Sequence, residues 1–214
     1  LQLTGFPVHP RFLAPLPDKH TARQLLGLPL NRFTVLLTSG GAGGGQVSKL
    51  VEAFERYCPE CSLLVVTGRN LRLYEKLTRR TVPECSRIYQ FVDNMEVLMS
   101  ACDVIVTKAG PGTIMETATL GKPLILTGAV GLQEEGNIGF VTEARLGLFC
   151  PDPVQAAKAA EAMRLAQPAD NTAEISSSAC AGTAAIARTL LDLLSRQATS
   201  TKQSSLGEVE DAHS

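Results

Sequence analysis

Four short stretches concentrate the residues able to hold an anion or a polyhydroxyl ligand. The first runs from Ser39 to Gly45, where five of seven residues are glycine. Glycine lets a backbone turn sharply and brings amide groups close to an anion, so Gly40, Gly41 and Gly43 are candidate phosphate contacts. No Gly-Lys-Ser/Thr follows, so the loop is not a P-loop, and it lacks a good GxGxxG pattern. A flexible loop that binds nothing would have the same composition. The second stretch is Lys108-Ala109-Gly110-Pro111-Gly112-Thr113, with Glu116 three residues on. Thr113 and Glu116 have the spacing of a capping box. They also suit a ligand. A helix opening at Gly110, Gly112 and Thr113 would take a diphosphate, Lys108 would add charge, and Glu116 could accept from both hydroxyls of a ribose. Spacing alone leaves both roles open. In the third stretch, Gly128 to Asn137, Gln133 and Asn137 share a helix face if the helix starts early. Their amides donate and accept, which suits sugar hydroxyls; a solvated helix start is the alternative. In the fourth, Gln90 to Met95, the Phe91 and Val92 backbone could pair with a base edge, while Asp93 or Asn94 suits an N-cap. Arg69, in Gly68-Arg69-Asn70, could meet a phosphate or be simply solvated.

These stretches fall where β-rich runs give way to helical periodicity. Strands are expected at 33–38, 62–67, 87–91, 103–107, 124–127 and 146–149. Helices are expected at 18–27 (capped by Asp18), 71–78, 95–101, 113–120 and 135–144, with two Ala-rich ones near 153–166 and 180–195. Another follows the glycine loop, with Val47, Leu50, Val51 and Phe54 at i, i+3, i+4 and i+7. Strands alternating with helices predict an α/β fold, a Rossmann-like parallel sheet with helices on both faces. Such sheets bind ligands where strands end and helices begin. Residues 1–17 carry Pro7, Pro10, Pro15 and Pro17 and read as an extended linker. Residues 18–196 form the domain, and the polar 197–214 reads as a disordered tail.

Composition narrows the classes. A 44% hydrophobic content over 214 residues supports a real core. A net charge of −1 offers no global attraction to nucleic acid or anionic lipid. No apolar run approaches the ~20 residues of a membrane span. Six cysteines are present, and a chain this apolar does not need disulfide staples. Cys58 and Cys61 form a lone CxxC without a second pair or a nearby His to complete a zinc set, so both are expected to be structural, with thioredoxin-like chemistry the alternative.

Taken in order, the motifs resemble the C-terminal domain of family 28 glycosyltransferases, one half of a GT-B fold. They are most similar to the branch of monogalactosyldiacylglycerol synthases and processive diacylglycerol glucosyltransferases. The resemblance rests on Gly5-Phe6-Pro7-Val8, Thr38-Ser39-Gly40-Gly41, Val66-Thr67-Gly68-Arg69-Asn70, Phe91-Val92-Asp93-Asn94-Met95, Thr107 to Thr113 with Glu116, and Gln133-Glu134-Glu135-Gly136-Asn137. It implies that the Phe91–Val92 backbone holds uracil and Glu116 holds ribose. It also implies that Gly110, Gly112, Thr113 and the Gly40–Gly45 loop hold the diphosphate, and that Gln133 and Asn137 reach the donor sugar. The glycine loop departs from the usual Gly-Gly-Gly-Glu-Gly form, with Ala42 at the Glu position.

The implied activity is inverting transfer of a hexose from a UDP-sugar to a diacylglycerol-type lipid, without a metal or other cofactor. The general base and the lipid site would belong to an N-terminal domain, which would also make peripheral membrane contact from the cytoplasm. The chain opens at Leu1 within what resembles the interdomain linker, so an N-terminal half is expected and this half alone should be inactive. His9, His20 and His213 lie outside the four stretches and supply no base. Two other readings suit the same motifs: a non-catalytic nucleotide-diphosphate-binding subunit acting with a membrane partner, and a UDP-sugar epimerase relative.

Overall fold

The computed structural model describes residues 6–38, 40, 46–80, 83 and 85–166. Six strands alternate with helices: β1 (Thr34–Thr38), β2 (Ser62–Val66), β3 (Arg87–Tyr89), β4 (Val104–Thr107), β5 (Leu124–Leu126) and β6 (Gly147–Phe149). The helices are α1 (Lys19–Leu25), α2 (Val47–Tyr57), α3 (Leu71–Thr78), α4 (Met95–Ala101), α5 (Pro111–Thr119), α6 (Leu132–Glu143) and α7 (Pro153–Leu165). All neighbouring strands pair parallel, in the order β3-β2-β1-β4-β5-β6. This is the doubly wound order, and the chain reverses direction between β1 and β4. Because every strand points the same way, all strand-to-helix junctions lie on one edge of the sheet.

Side chains alternate across that sheet, as the period of a strand requires. Leu36, Leu64, Val66, Ile105, Leu124 and Leu126 face one layer, where they pack with Ala22, Leu98, Met99, Ile114 and Val141. Val35, Leu37, Leu63, Val65, Val104, Val106 and Ile125 face the other, against Leu50, Val51 and Phe54 of α2 and Ala156, Ala157 and Ala160 of α7. Burial on both faces explains why the central strands read as unbroken apolar runs.

Three sequence expectations need correction. The proline-rich opening is not a free extended segment. Pro10–Phe12 forms a 3-10 turn capped by the His9 side chain. Val8 and Phe12 are buried, with Phe6 packed beside them on the α1–α4 layer. Helix α5 opens at Pro111 with Gly110 as its N-cap, two residues before the expected start, because Pro favours the first helical position. Helix α6 likewise begins at Leu132 rather than 135. Finally, Cys58 and Cys61 are joined by a disulfide, with Cα atoms 5.5 Å apart. It closes only the turn from α2 to β2, so it staples nothing distant. The expected helix at 180–195, the tail and Gly41 to Gly45 lie outside the described residues.

A buried Arg23 anchors α1 to the sheet, and no sequence motif marks it. Its guanidinium donates to Ala101 O at 3.0 Å and to Asp103 Oδ2 at 2.6 Å. Asp103 also accepts from the Thr34 amide at 2.8 Å and from Lys19 Nζ at 2.9 Å. One carboxylate thereby fixes the starts of β1 and β4, the two strands flanking the reversal point.

Candidate functional site

At the reversal point the loops after β1 and β4 meet through Lys108. Gly40 has φ +79°, a conformation that disfavours a side chain, and a Cβ there would lie 3.3 Å from Lys108 Cε. A Cβ on Gly110 would lie 3.2 Å from Lys108 Nζ. The two glycines therefore let the lysine tip lie between the turns. Lys108 forms an ion pair with Glu134 at the start of α6. The second Glu134 oxygen accepts from the Val130 amide at 2.8 Å. Burial acts to raise the Glu134 carboxyl. The Lys108 bond, the Val130 amide and the Lys108 charge outweigh it and hold the group below the usual carboxylate value. Sequence reasoning assigned Lys108 a free charge and gave Glu134 no role; the structure pairs them. The signal was faint: one of two adjacent acids in the Gln133–Asn137 run, 26 residues from its partner.

The start of α5 is open. Its N-cap, Gly110, offers no side chain, so no side-chain capping bond forms. Pro111 has no N–H, and the amides of Gly112 and Thr113 precede the first intrahelical acceptor bond, which runs from Ile114 N to Gly110 O at 3.1 Å. Gly112 has nothing within 4 Å of where a Cβ would stand. Two amide donors and the positive end of a helix thus face open space beside Lys108. Thr113 lies inside the helix at its third position, so it is not the N-cap and the capping box does not form.

With that role removed, Glu116 stands one turn into α5, half-buried, with no hydrogen bond to its carboxylate among the described residues. Burial, and after it the nearby Glu96 charge, together raise its pKa to about 7. A partly dry, unpartnered carboxylate is costly, which is a mark of a functional position. Glu96 was not among the expected site residues; it lies on α4, whose Leu98 and Met99 share a core layer with Ile114 of α5.

The third and fourth stretches converge on the same edge. Asn137 and Gln133 share a face of α6, as its early start allows. Asn137 Nδ2 donates to Ala109 O at 2.8 Å, and Ala109 N donates to Gly128 O at 2.7 Å, so the β4–α5 and β5–α6 loops are tied together. Asn137 therefore spends one of its two N–H donors on the fold and keeps the other and its acceptor, while Gln133 is exposed. After β3, Phe91 is exposed, and the Arg69 guanidinium lies 5.5 Å from its ring centroid. The main-chain groups of Phe91 and Val92 form no hydrogen bond among the described residues. Arg11 donates to Asp93 O, binding the opening segment to this loop. Asn94 occupies the N-cap position of α4 without a side-chain bond. No helix of the described residues is long and apolar enough to cross a membrane.

Comparison with known proteins agrees with this geometry. Residues 34–129 match the glycosyltransferase family 28 C-terminal domain. That span runs from β1 through β5 and includes Gly40, Phe91, Val92, Lys108 and Glu116. Monogalactosyldiacylglycerol synthase 1, chloroplastic, of Arabidopsis thaliana is 36% identical over 165 residues, which is 74% of this chain and 31% of that protein. A probable monogalactosyldiacylglycerol synthase of Nicotiana tabacum is 38% identical over 160 residues, 72% of this chain and 30% of that protein. This chain thus spans about a third of the length of these relatives. Among solved structures, Anabaena Alr3699/HepE in complex with UDP-glucose aligns with a TM-score of 0.57 at 22% identity, over 94% of this chain and 56% of that one. Spinosyn rhamnosyltransferase SpnG, complexed with thymidine diphosphate, aligns at 0.58 and 18% identity, over 76% and 46%. These structures share the fold, a Rossmann-like half of the GT-B architecture. With its doubly wound sheet and its open helix start at the reversal point, this chain carries the glycosyltransferase family 28 C-terminal domain.

Proposed function

We propose that the domain binds the nucleotide portion of a UDP-hexose, and that the whole protein transfers the hexose to a diacylglycerol-type lipid. The observation that carries this reading is the open start of α5, where two free amides and Lys108 lie one turn from an unpartnered Glu116. A diphosphate needs the first group and a ribose diol the second. The Phe91–Val92 backbone offers donor and acceptor to a uracil edge, and Arg69 stands beside it. Gln133 and the free acceptor of Asn137 face the sugar. Gly41 and Gly43 complete the diphosphate loop in this reading. The relatives named as monogalactosyldiacylglycerol synthases support the lipid acceptor, and HepE with UDP-glucose supports the donor.

In the transfer, the acceptor oxygen forms a bond to the anomeric carbon as the bond from that carbon to the diphosphate breaks. The acceptor proton passes to a general base in the second domain. Negative charge develops on the departing UDP, where the α5 amides and Lys108 stand. Pre-set dipoles of this kind do the work a divalent ion does elsewhere, so transfer is expected to withstand chelation by EDTA. The acceptor sets the enzyme at a membrane surface. The relatives are named as chloroplastic, which makes a plastid membrane the first compartment to test ahead of the cytoplasm.

The test uses the full-length protein with UDP-galactose or UDP-glucose and diacylglycerol in mixed micelles. The expected product is a monohexosyl lipid, formed equally with and without EDTA, and absent when residues 1–214 are used alone. Formation of free hexose or an epimerised nucleotide sugar, with no glycolipid, would overturn the reading.

A further inference from the structure

The Lys108–Glu134 pair differs from the ion pairs on the outer surface of the domain. Glu134 is only 7% exposed, and the Val130 amide pins its second oxygen. The lysine tip lies against Gly40 and Gly110, in the gap where the two turns would cradle a diphosphate. Glu134 cancels the lysine charge there. An arriving phosphate must draw Lys108 away from Glu134, or accept a carboxylate as its neighbour. Both are costly in a partly dry site, where like charges are poorly screened.

We propose that Glu134 is an internal competitor for the diphosphate: it holds Lys108 while the site is empty and weakens the grip on a terminal phosphate. A diphosphate esterified to a sugar carries one negative charge fewer than free UDP. The carboxylate therefore opposes the product more than the donor, favouring exchange of spent UDP for fresh UDP-hexose. Glu134 thus sets donor-over-product preference. This inference rests on the UDP-hexose reading above and deepens it.

The test titrates the wild-type chain and Glu134→Gln with inorganic pyrophosphate, UDP, UDP-glucose and uridine. Glutamine keeps an acceptor for the Val130 amide and removes the charge. Expected are about tenfold tighter binding of UDP and pyrophosphate, in the usual range for a coupling between two sites. UDP-glucose should change less, and uridine not at all. Unchanged or weaker UDP and pyrophosphate binding would overturn the proposal, since Glu134 would then hold Lys108 ready for the ligand. If neither protein binds uridine or UDP but pyrophosphate binding tightens, the nucleotide reading fails and the competitor role stands. An independent readout needs no variant. The 13C resonance of the Glu134 carboxyl in the wild-type chain should move when pyrophosphate is added, as the lysine leaves it. A stationary resonance in the pyrophosphate-bound chain contradicts the proposal.

Discussion

Glu116 is half-buried and its carboxylate has no partner among the described residues, a stability cost that binding a ribose would offset. Its folded pKa of about 7 lies above the ordinary carboxylate value, so the folded chain holds this proton more tightly than the unfolded one. The contribution is present at low pH and is lost as pH rises from the ordinary carboxylate value through about 7. Glu116→Gln should lack that loss. Compared by thermal melting at pH 5 and pH 8, the variant should be the more stable protein at pH 8 and gain little at pH 5. It should also bind uridine about tenfold or more weakly, the usual cost of losing hydrogen bonds to a charged acceptor. Uridine binding in the wild type should strengthen as pH rises through 7, because only the carboxylate accepts from both hydroxyls. Glu96→Gln removes a nearby like charge and should move that inflection to lower pH. A pH-independent affinity would mean that Glu116 does not meet the ribose.

At this scale the sequence was only partly legible. The residue types at 108–116 suit an anion site, but two uses of Glu116 stayed open. The position of Pro111 removes the capping-box use: a proline at the first helical turn makes Gly110 the cap and leaves Thr113 inside. Lys108, Glu134 and Glu96 could not be paired from sequence, because their proximity depends on the packing of α4, α5 and α6 rather than on any local period.

At the scale of elements, the alternation of strands and helices was read to within a few residues, since the central strands are mostly apolar and helices such as α2 bury a stripe at helical spacing. What sequence hid are the joints. Asn137 looked like a sugar contact, yet its amide nitrogen ties α6 to the β4–α5 loop. Asn137→Ala should therefore cost about 1 kcal/mol of stability as well as weakening UDP-hexose relative to UDP, checked by denaturant titration and calorimetry. Arg23 is a stronger joint: it is 3% exposed and bonded to Asp103 and two carbonyls. Arg23→Ala leaves a carboxylate short of its partner and should cost about 3–5 kcal/mol. A loss under 1 kcal/mol would mean that Lys19 and water replace it. Gly147 offers a control away from the site. A Cβ there would lie 2.0 Å from Leu124 O, so Gly147→Ala should destabilise the β5–β6 edge, with an unfolding cost of at least ~1 kcal/mol, and leave UDP affinity in the folded fraction unchanged.

At the scale of the whole molecule, the sheet order brings residues from four distant stretches to one edge, and this is what makes the set a site. The base contact would lie at the carboxyl end of β3, the diphosphate contacts at the ends of β1 and β4, the ribose contact one turn into the helix after β4, and the sugar contacts after β5. The opening segment joins the same edge, with Arg11 bonded to Asp93 O and Phe12 buried. The segment entering the domain is thus fixed to the loop assigned to uracil. The chain covers about a third of the length of its named relatives.

The central claim is that this edge selects a uridine diphosphate, and calorimetric titration of the chain with UDP, GDP and ADP tests it most directly. UDP is expected to bind at roughly 10–100 μM, about −5.5 to −7 kcal/mol, and both purine nucleotides clearly more weakly. Equal affinity for all three would reduce the site to an anion hole that does not read the base, and tighter binding of a purine nucleotide would contradict the account outright.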